Sequence, residues 1–171
     1  MTTFGLELQE RQRRLLMAAY PIFIVMAINP IISLVVTRWP LNVDSLGWRF
    51  FFSGTLISDV MPFHATALAL LLLLSTLLGH RNVARAVAIT AIVAAFAIIA
   101  AVMLFGLDAL QMRRTVPQAN KSQFDAAAMK TFLLSVTLAP ALLWMAVRTF
   151  AATRGVVSRN VASDAGLVVG R

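Results

Sequence analysis

Asp44-Ser-Leu-Gly-Trp-Arg-Phe-Phe-Phe-Ser-Gly-Thr-Leu-Ile-Ser-Asp-Val-Met-Pro-Phe-His64 holds two acids, an arginine set among aromatics, a proline and the only histidine within an apolar run. Whether this stretch is one helix or two elements decides how the chain is laid out. A single helix from Phe50 to Leu78 would be about 43 Å long at about 1.5 Å per residue, against a hydrocarbon core of about 30 Å. Ser58 and Asp59 are good N-cap residues, and Pro62 would then sit in a first helical turn, where its missing N–H costs little. The expectation is therefore a break, with Gly47 to Ile57 forming an interfacial or partly re-entrant element around Trp48 and the Phe50–Phe52 run. A membrane span then follows over about residues 60–79.

Outward from this stretch the sequence is dominated by apolar runs. The chain has 171 residues, of which 60% are hydrophobic and 13% charged. Runs of roughly 18 or more apolar residues indicate transmembrane helices. Spans are expected at about 15–37, 60–79, 86–107 and 126–147, giving one all-α integral membrane domain over residues 1–147. Residues 4–14, in which Glu7–Arg11 and Glu10–Arg14 are favourable (i, i+4) pairs, read as an N-terminal interfacial helix. The first run is too long for a cleavable signal peptide and lacks a small-x-small site, so it stays as a span. Residues 148–171 read as a basic, aperiodic tail.

The first span carries Pro21 and Pro30, with Asn29 near its middle. An amide at that depth is expected to face another helix. Arg38, Trp39 and Pro40 mark its boundary, tryptophan being at home at headgroup level. In the third span Ala84, Ala88, Ala91 and Ala95 form a small-residue stripe that permits close approach by a neighbouring helix.

The formal net charge is +8, from 15 bases and 7 acids. The bases cluster at the ends of apolar runs, a pattern of orientation signals and contact with anionic lipids rather than of nucleic-acid binding, which would need stacking aromatics among them. Four spans place both termini on one side, and that side holds nine of the bases, including Arg13, Arg14, Arg81, Arg85 and Arg148. This favours cytoplasmic termini. The excess of arginine and alanine suggests a bacterial source, and so a bacterial cytoplasmic (inner) membrane.

Candidate chemistry is sparse. There is no cysteine and there are only two histidines. Thiolate chemistry and an intrachain zinc or di-iron site are therefore excluded, and no catalytic motif is present. His64 is the candidate cofactor ligand, for a pigment magnesium or a haem iron. His80 is about 24 Å further along the same helix and cannot share its metal. Asp59 is a candidate proton carrier if buried and a helix cap if not. Arg49 can pair with Asp59 across the break, and Asp108 or Asp125 with Arg113 or Arg114.

These observations point to a non-catalytic structural or accessory subunit of a larger bacterial respiratory or photosynthetic membrane complex. Its partners would be other membrane-protein subunits and anionic lipids. Packing and docking are expected through Asn29, Trp48, Arg49, Asp59, Ala88, Ala91, Ala95, Asp108, Arg113 and Arg114. Two alternatives remain open: a pigment-, haem- or quinone-binding protein using His64, and a small oligomeric transporter or channel lined by Asn29 and His64.

Overall fold

The structure, a computed structural model, describes the backbone of residues 10–166 and the side chains of residues 10–153. It is all-helical: α1 (Glu10–Thr37), α2 (Leu46–Thr55), a π turn (Leu56–Val60), α3 (Met61–Leu77), α4 (Arg81–Met112), a short 3-10 turn (Gln118–Asn120) and α5 (Lys121–Gly166). The helical stretches Glu10–Thr37, Leu46–Leu77, Arg81–Met112 and Gln118–Thr153 are each long and apolar enough to cross a membrane. Successive stretches run antiparallel. The connections 38–45 and 113–120 therefore share one end of the molecule, called here the loop end, and Leu78–His80 lies at the other.

The expected break before the second span does not form. Neither the start of the π turn nor that of α3 is capped by a side chain, and the helical path is continuous from Leu46 to Leu77. The reason lies in Pro62. A proline removes one ladder bond and collides with the carbonyl four residues earlier, here that of Ser58. One widened turn absorbs this, with the Met61 N–H donating to the Leu56 carbonyl, five residues back. The helix N-terminus falls instead at Ser45, whose hydroxyl accepts from the Trp48 N–H at 3.3 Å. The resulting rod of 32 residues is about 48 Å long, longer than a hydrocarbon core of about 30 Å.

Two further boundaries differ from expectation. Residues 10–14 are the first turn of α1, continuous with the rest of it, and the Glu10–Arg14 pair is present at 2.6 Å. Residues 4–9, with the Glu7 end of the other pair, lie outside the described residues. The backbone of α5 stays helical to Gly166, across most of the stretch expected to be an aperiodic tail. At the opposite end of α3 the chain reverses through Gly79, whose φ of 71° is a left-handed conformation that only glycine adopts without strain. The His80 N–H reaches back to the Ser75 carbonyl at 2.8 Å and the Gly79 N–H to that of Thr76 at 3.2 Å, closing the carbonyls that end α3.

Packing is organised on α4. Ala84, Ala88, Ala91 and Ala95 are fully buried, against Leu68, Leu71 and Leu72 of α3 and Ala139, Leu142 and Ala146 of α5. The small-residue stripe expected to serve close helix approach is thus used within the chain. A second apolar layer at the loop end joins Ile57, Ala101, Phe105 and Ala109 with Phe50 and Phe124. Its aromatic rings stack, Phe50 on Phe105 at 4.9 Å and on Phe124 at 5.3 Å. Gly54 lets the Phe105 ring come this close, since a Cβ there would stand 3.2 Å from it. α1 is the outlying helix, packed mainly on α3 and burying only Ala27 and Leu34.

Enlarging a buried alanine should therefore be costly and enlarging an outward one should not. Ala91→Leu is expected to destabilise the protein by about 1–3 kcal/mol. Ala97→Leu, on the exposed face of the same helix, should lie within about 0.5 kcal/mol of the parent. Equilibrium unfolding in mixed micelles measures both.

Candidate functional site

Among the described residues eight polar residues are buried, and the side chain of each has a hydrogen-bond partner. Ser53, Ser75, Thr131, Ser135, Thr149 and Thr153 donate their hydroxyls to carbonyls of their own helices. Such back-bonding removes a hydroxyl from an apolar interior without any interhelical partner. The remaining two buried polar residues are His64 and Asp108.

His64 Nδ1 lies 2.9 Å from the carbonyl oxygen of Ala27 in α1. A carbonyl only accepts, so Nδ1 carries the hydrogen. The contact lies in the turn before Pro30, which leaves the Met26 carbonyl without its ladder donor; the carbonyl that His64 meets is the adjacent one, of Ala27. At 6% exposure the ring is enclosed by protein, so a pigment or haem at Nε2 would require α1 and α3 to part. His80, at the far end, stacks on Tyr20 with ring centroids 5.8 Å apart, and its Nδ1 is 3.0 Å from the Tyr20 hydroxyl. Among the described residues no three His, Asp or Glu side chains gather as a metal site would require.

Asp108 is held by Arg49. The guanidinium donates through Nη2 to Oδ1 at 3.0 Å and through Nε to Oδ2 at 3.3 Å, a two-point contact, while Nη1 donates to the Val43 carbonyl at 3.0 Å. The carboxylate is 4% exposed. Arg49 therefore pairs with α4 rather than with Asp59, because the unbroken rod carries Asp59 more than two turns away along the same helix. The other expected pair at this end does form, Arg113 with Asp125 at 2.8 Å. Arg114 is exposed and, with Arg113, Lys121 and Leu110, borders a surface recess at the loop end.

The loop end of α1 is clamped from α2. The Trp48 indole N–H donates to the Arg38 carbonyl at 3.1 Å, and Trp48 stacks on Phe52 at 4.8 Å. Arg38 Nη2 donates to the Thr55 hydroxyl at 3.1 Å, and its guanidinium lies 5.9 Å from the Phe51 ring centroid. Its Nε is buried with no hydrogen-bond partner.

Asn29 does not face another helix. It stands about 160° around α1 from Ala27, the residue that meets α3, and is exposed. It rims a lateral groove of about 410 Å³ between α1 and the rod, together with Ser33, Thr37, Arg38, Thr55 and Asp59. Asp59 is exposed and accepts from the Ser58 hydroxyl at 3.0 Å. Its single hydrogen is shared with the Gly54 carbonyl, 2.8 Å from the same hydroxyl oxygen. Thus Asp59 is neither a helix cap nor buried. It is a carboxylate displayed on the flank by the π turn. Sequence reasoning placed Asn29 and Asp59 separately and missed the groove; the signal available was Asn29, Ser33 and Thr37, which recur every four residues along α1.

A second groove, of about 480 Å³, opens between α4 and α5 near the loop end, floored by Gly106, Ala109, Phe124, Ala128 and Phe132. Comparison of the chain with protein-family models, curated proteins and solved structures finds no match to any of them.

Removing Arg49 leaves the Asp108 carboxylate buried and unpaired, whereas replacing both removes the charge altogether. Arg49→Met should therefore lower the thermal midpoint in detergent clearly more than the Arg49→Met/Asp108→Leu double variant does. His64→Leu, which breaks one interhelical hydrogen bond, should cost about 0.6–1.7 kcal/mol, measured by unfolding in mixed micelles.

Proposed function

We propose that the chain is a non-catalytic integral subunit of a larger bacterial membrane complex, respiratory or photosynthetic, that acts by helix packing and loop docking. The observation that carries this reading is the use of the interior: its alanine face, its hydroxyls, His64 and Asp108 all serve the chain's own packing. A catalytic or conducting interior keeps ionisable groups facing a cavity, where intramembrane polar groups do their work. Here the charged groups are at the ends and on the flanks.

The surface best suited to a partner helix is the groove between α4 and α5. Gly106 and Ala128 line it with small side chains, which let another helix approach closely. Leu110 and Met129 border it as exposed apolar residues, and the Arg113–Asp125 pair closes it at the loop end. Arg114 and Lys121, beside it, suit an acidic loop on the same partner. The stripe Ala88, Ala91 and Ala95 is buried inside the chain and is not the partner surface. The excess of bases on the terminal side supports a reading with both termini in the cytoplasm and the chain in the cytoplasmic (inner) membrane.

Purification from native membranes in a mild detergent tests the proposal. The parent chain should co-elute with at least one other membrane protein. Ala128→Trp, which fills the groove from a half-buried position, should release that protein while the chain itself stays monodisperse. A parent chain that elutes alone, without a co-purifying protein, would contradict the proposal.

A further inference from the structure

The two grooves differ in how their charges are held: in the α4–α5 groove Arg113 and Asp125 pair with one another, whereas the charges in the groove between α1 and the rod are not joined in a salt bridge. Asp59 and Arg38 both line the latter. Neither Asp59 nor Arg38 belongs to the ion pairs Glu10–Arg14, Arg49–Asp108 and Arg113–Asp125 seen among the described residues. Arginine can reach along a helix toward a headgroup layer, but aspartate is too short to do so. An aspartate on the flank of an apolar rod therefore needs a cation brought to it. The neighbouring polar groups, the Asn29 amide and the Ser33 and Thr37 hydroxyls, can accept further hydrogen bonds from that cation. Apolar residues are interleaved with them, Pro30 and Leu34 on α1 and Val60 on the rod, with Phe63 one turn beyond Asp59. Trp39, 70% exposed and next to Arg38, sets the headgroup level.

We infer that this groove is a seat for one aminophospholipid of the phosphatidylethanolamine type. Its phosphate lies on the Arg38 guanidinium and its primary ammonium on Asp59, with an acyl chain along Leu34, Val60 and Phe63. The two headgroup charges are joined by a two-carbon link, which suits an anion site and a cation site in one groove. A primary ammonium offers three N–H donors, enough for Asp59 and one or two of the neighbouring oxygen acceptors. The quaternary ammonium of phosphatidylcholine offers none, and phosphatidylglycerol brings no cation for Asp59. The π turn is what builds the seat, since its extra residue turns Asp59 out beside Thr55 and opposite Arg38.

Native mass spectrometry of the full chain, titrated separately with dioleoyl phosphatidylethanolamine, phosphatidylcholine and phosphatidylglycerol, tests the inference. The first equivalent of phosphatidylethanolamine should bind about tenfold more tightly than either of the others, the scale of one charge-assisted hydrogen bond. Asp59→Asn should bring phosphatidylethanolamine to the level of phosphatidylcholine, while Asp59→Glu keeps the preference. Arg38→Gln should weaken all three lipids, which share the phosphate. If Asp59→Asn does not elute as a folded protein, Asn29→Leu on the exposed rim serves instead and should reduce the preference by a few fold. Equal binding of the three lipids, a preference for phosphatidylglycerol, or a preference that survives the loss of the Asp59 charge would each overturn it. So would a polypeptide, rather than lipid, captured by a photoreactive side chain at Ser33 in native membranes.

Discussion

An apolar segment has no water to take up its backbone N–H and C=O groups, so this chain must keep its hydrogen-bond ladder closed through Pro62. Much of what is particular to the structure follows from how it does so. The ladder widens by one residue between Leu56 and Val60 and then resumes. The widening keeps a single rod from Leu46 to Leu77, which lets α2 carry Trp48 and Arg49 to the ends of α1 and α4. It also displays Asp59 on the flank. Pi turns are uncommon and concentrate at functional sites, and this one borders the charged groove between α1 and the rod. Pro30 raises the same difficulty in α1, where the Met26 carbonyl loses its ladder donor and His64 from the neighbouring helix binds the adjacent Ala27 carbonyl.

Lateral cohesion comes from a different source. Lipid tails are as apolar as leucine, so helices in a bilayer associate through close contact rather than by escape from water. The four alanines on the inner face of α4 provide that contact with α3 and α5. At the loop end the means change. A ring stack of Phe50, Phe105 and Phe124 and the two-point Arg49–Asp108 contact hold α2 to α4 where the rod extends beyond hydrocarbon length. α1 lies along α3 through Ala27 and Leu34 and is tied in place by His64, Trp48, Arg38 and the Tyr20–His80 stack.

Apolar run length made the four long helices legible in the sequence, because hydropathy reads directly on the solvent of a segment. Residues 15–37 and 86–107 fall inside α1 and α4 as observed. The break at Ser58 was misread because cap residues followed by proline satisfy the local rules for a helix start, and nothing local says that one wide turn can absorb the proline instead. The partner of Arg49 was misread for a related reason: pairing with Asp59 presumed that break. The alanine stripe gave the right kind of contact and left its partner undetermined, since small residues permit approach by any helix. The charged groove was not legible. It needs the rotation of α1, which Ala27 and Leu34 fix by meeting α3, and no single segment contains that information.

The continuity of the rod is the claim on which the rest stands, and the absence of native cysteine makes it directly measurable. Single cysteines placed in turn from position 46 to 68, each carrying a nitroxide, report oxygen and nickel-chelate accessibility by electron paramagnetic resonance in reconstituted bilayers. A continuous rod with a π turn predicts helical periodicity on both sides of 56–60, with the phase advanced by about 100° across it, and position 59 on the accessible flank. Loss of periodicity through 56–60, with strong nickel accessibility there, would show a broken element and contradict the account.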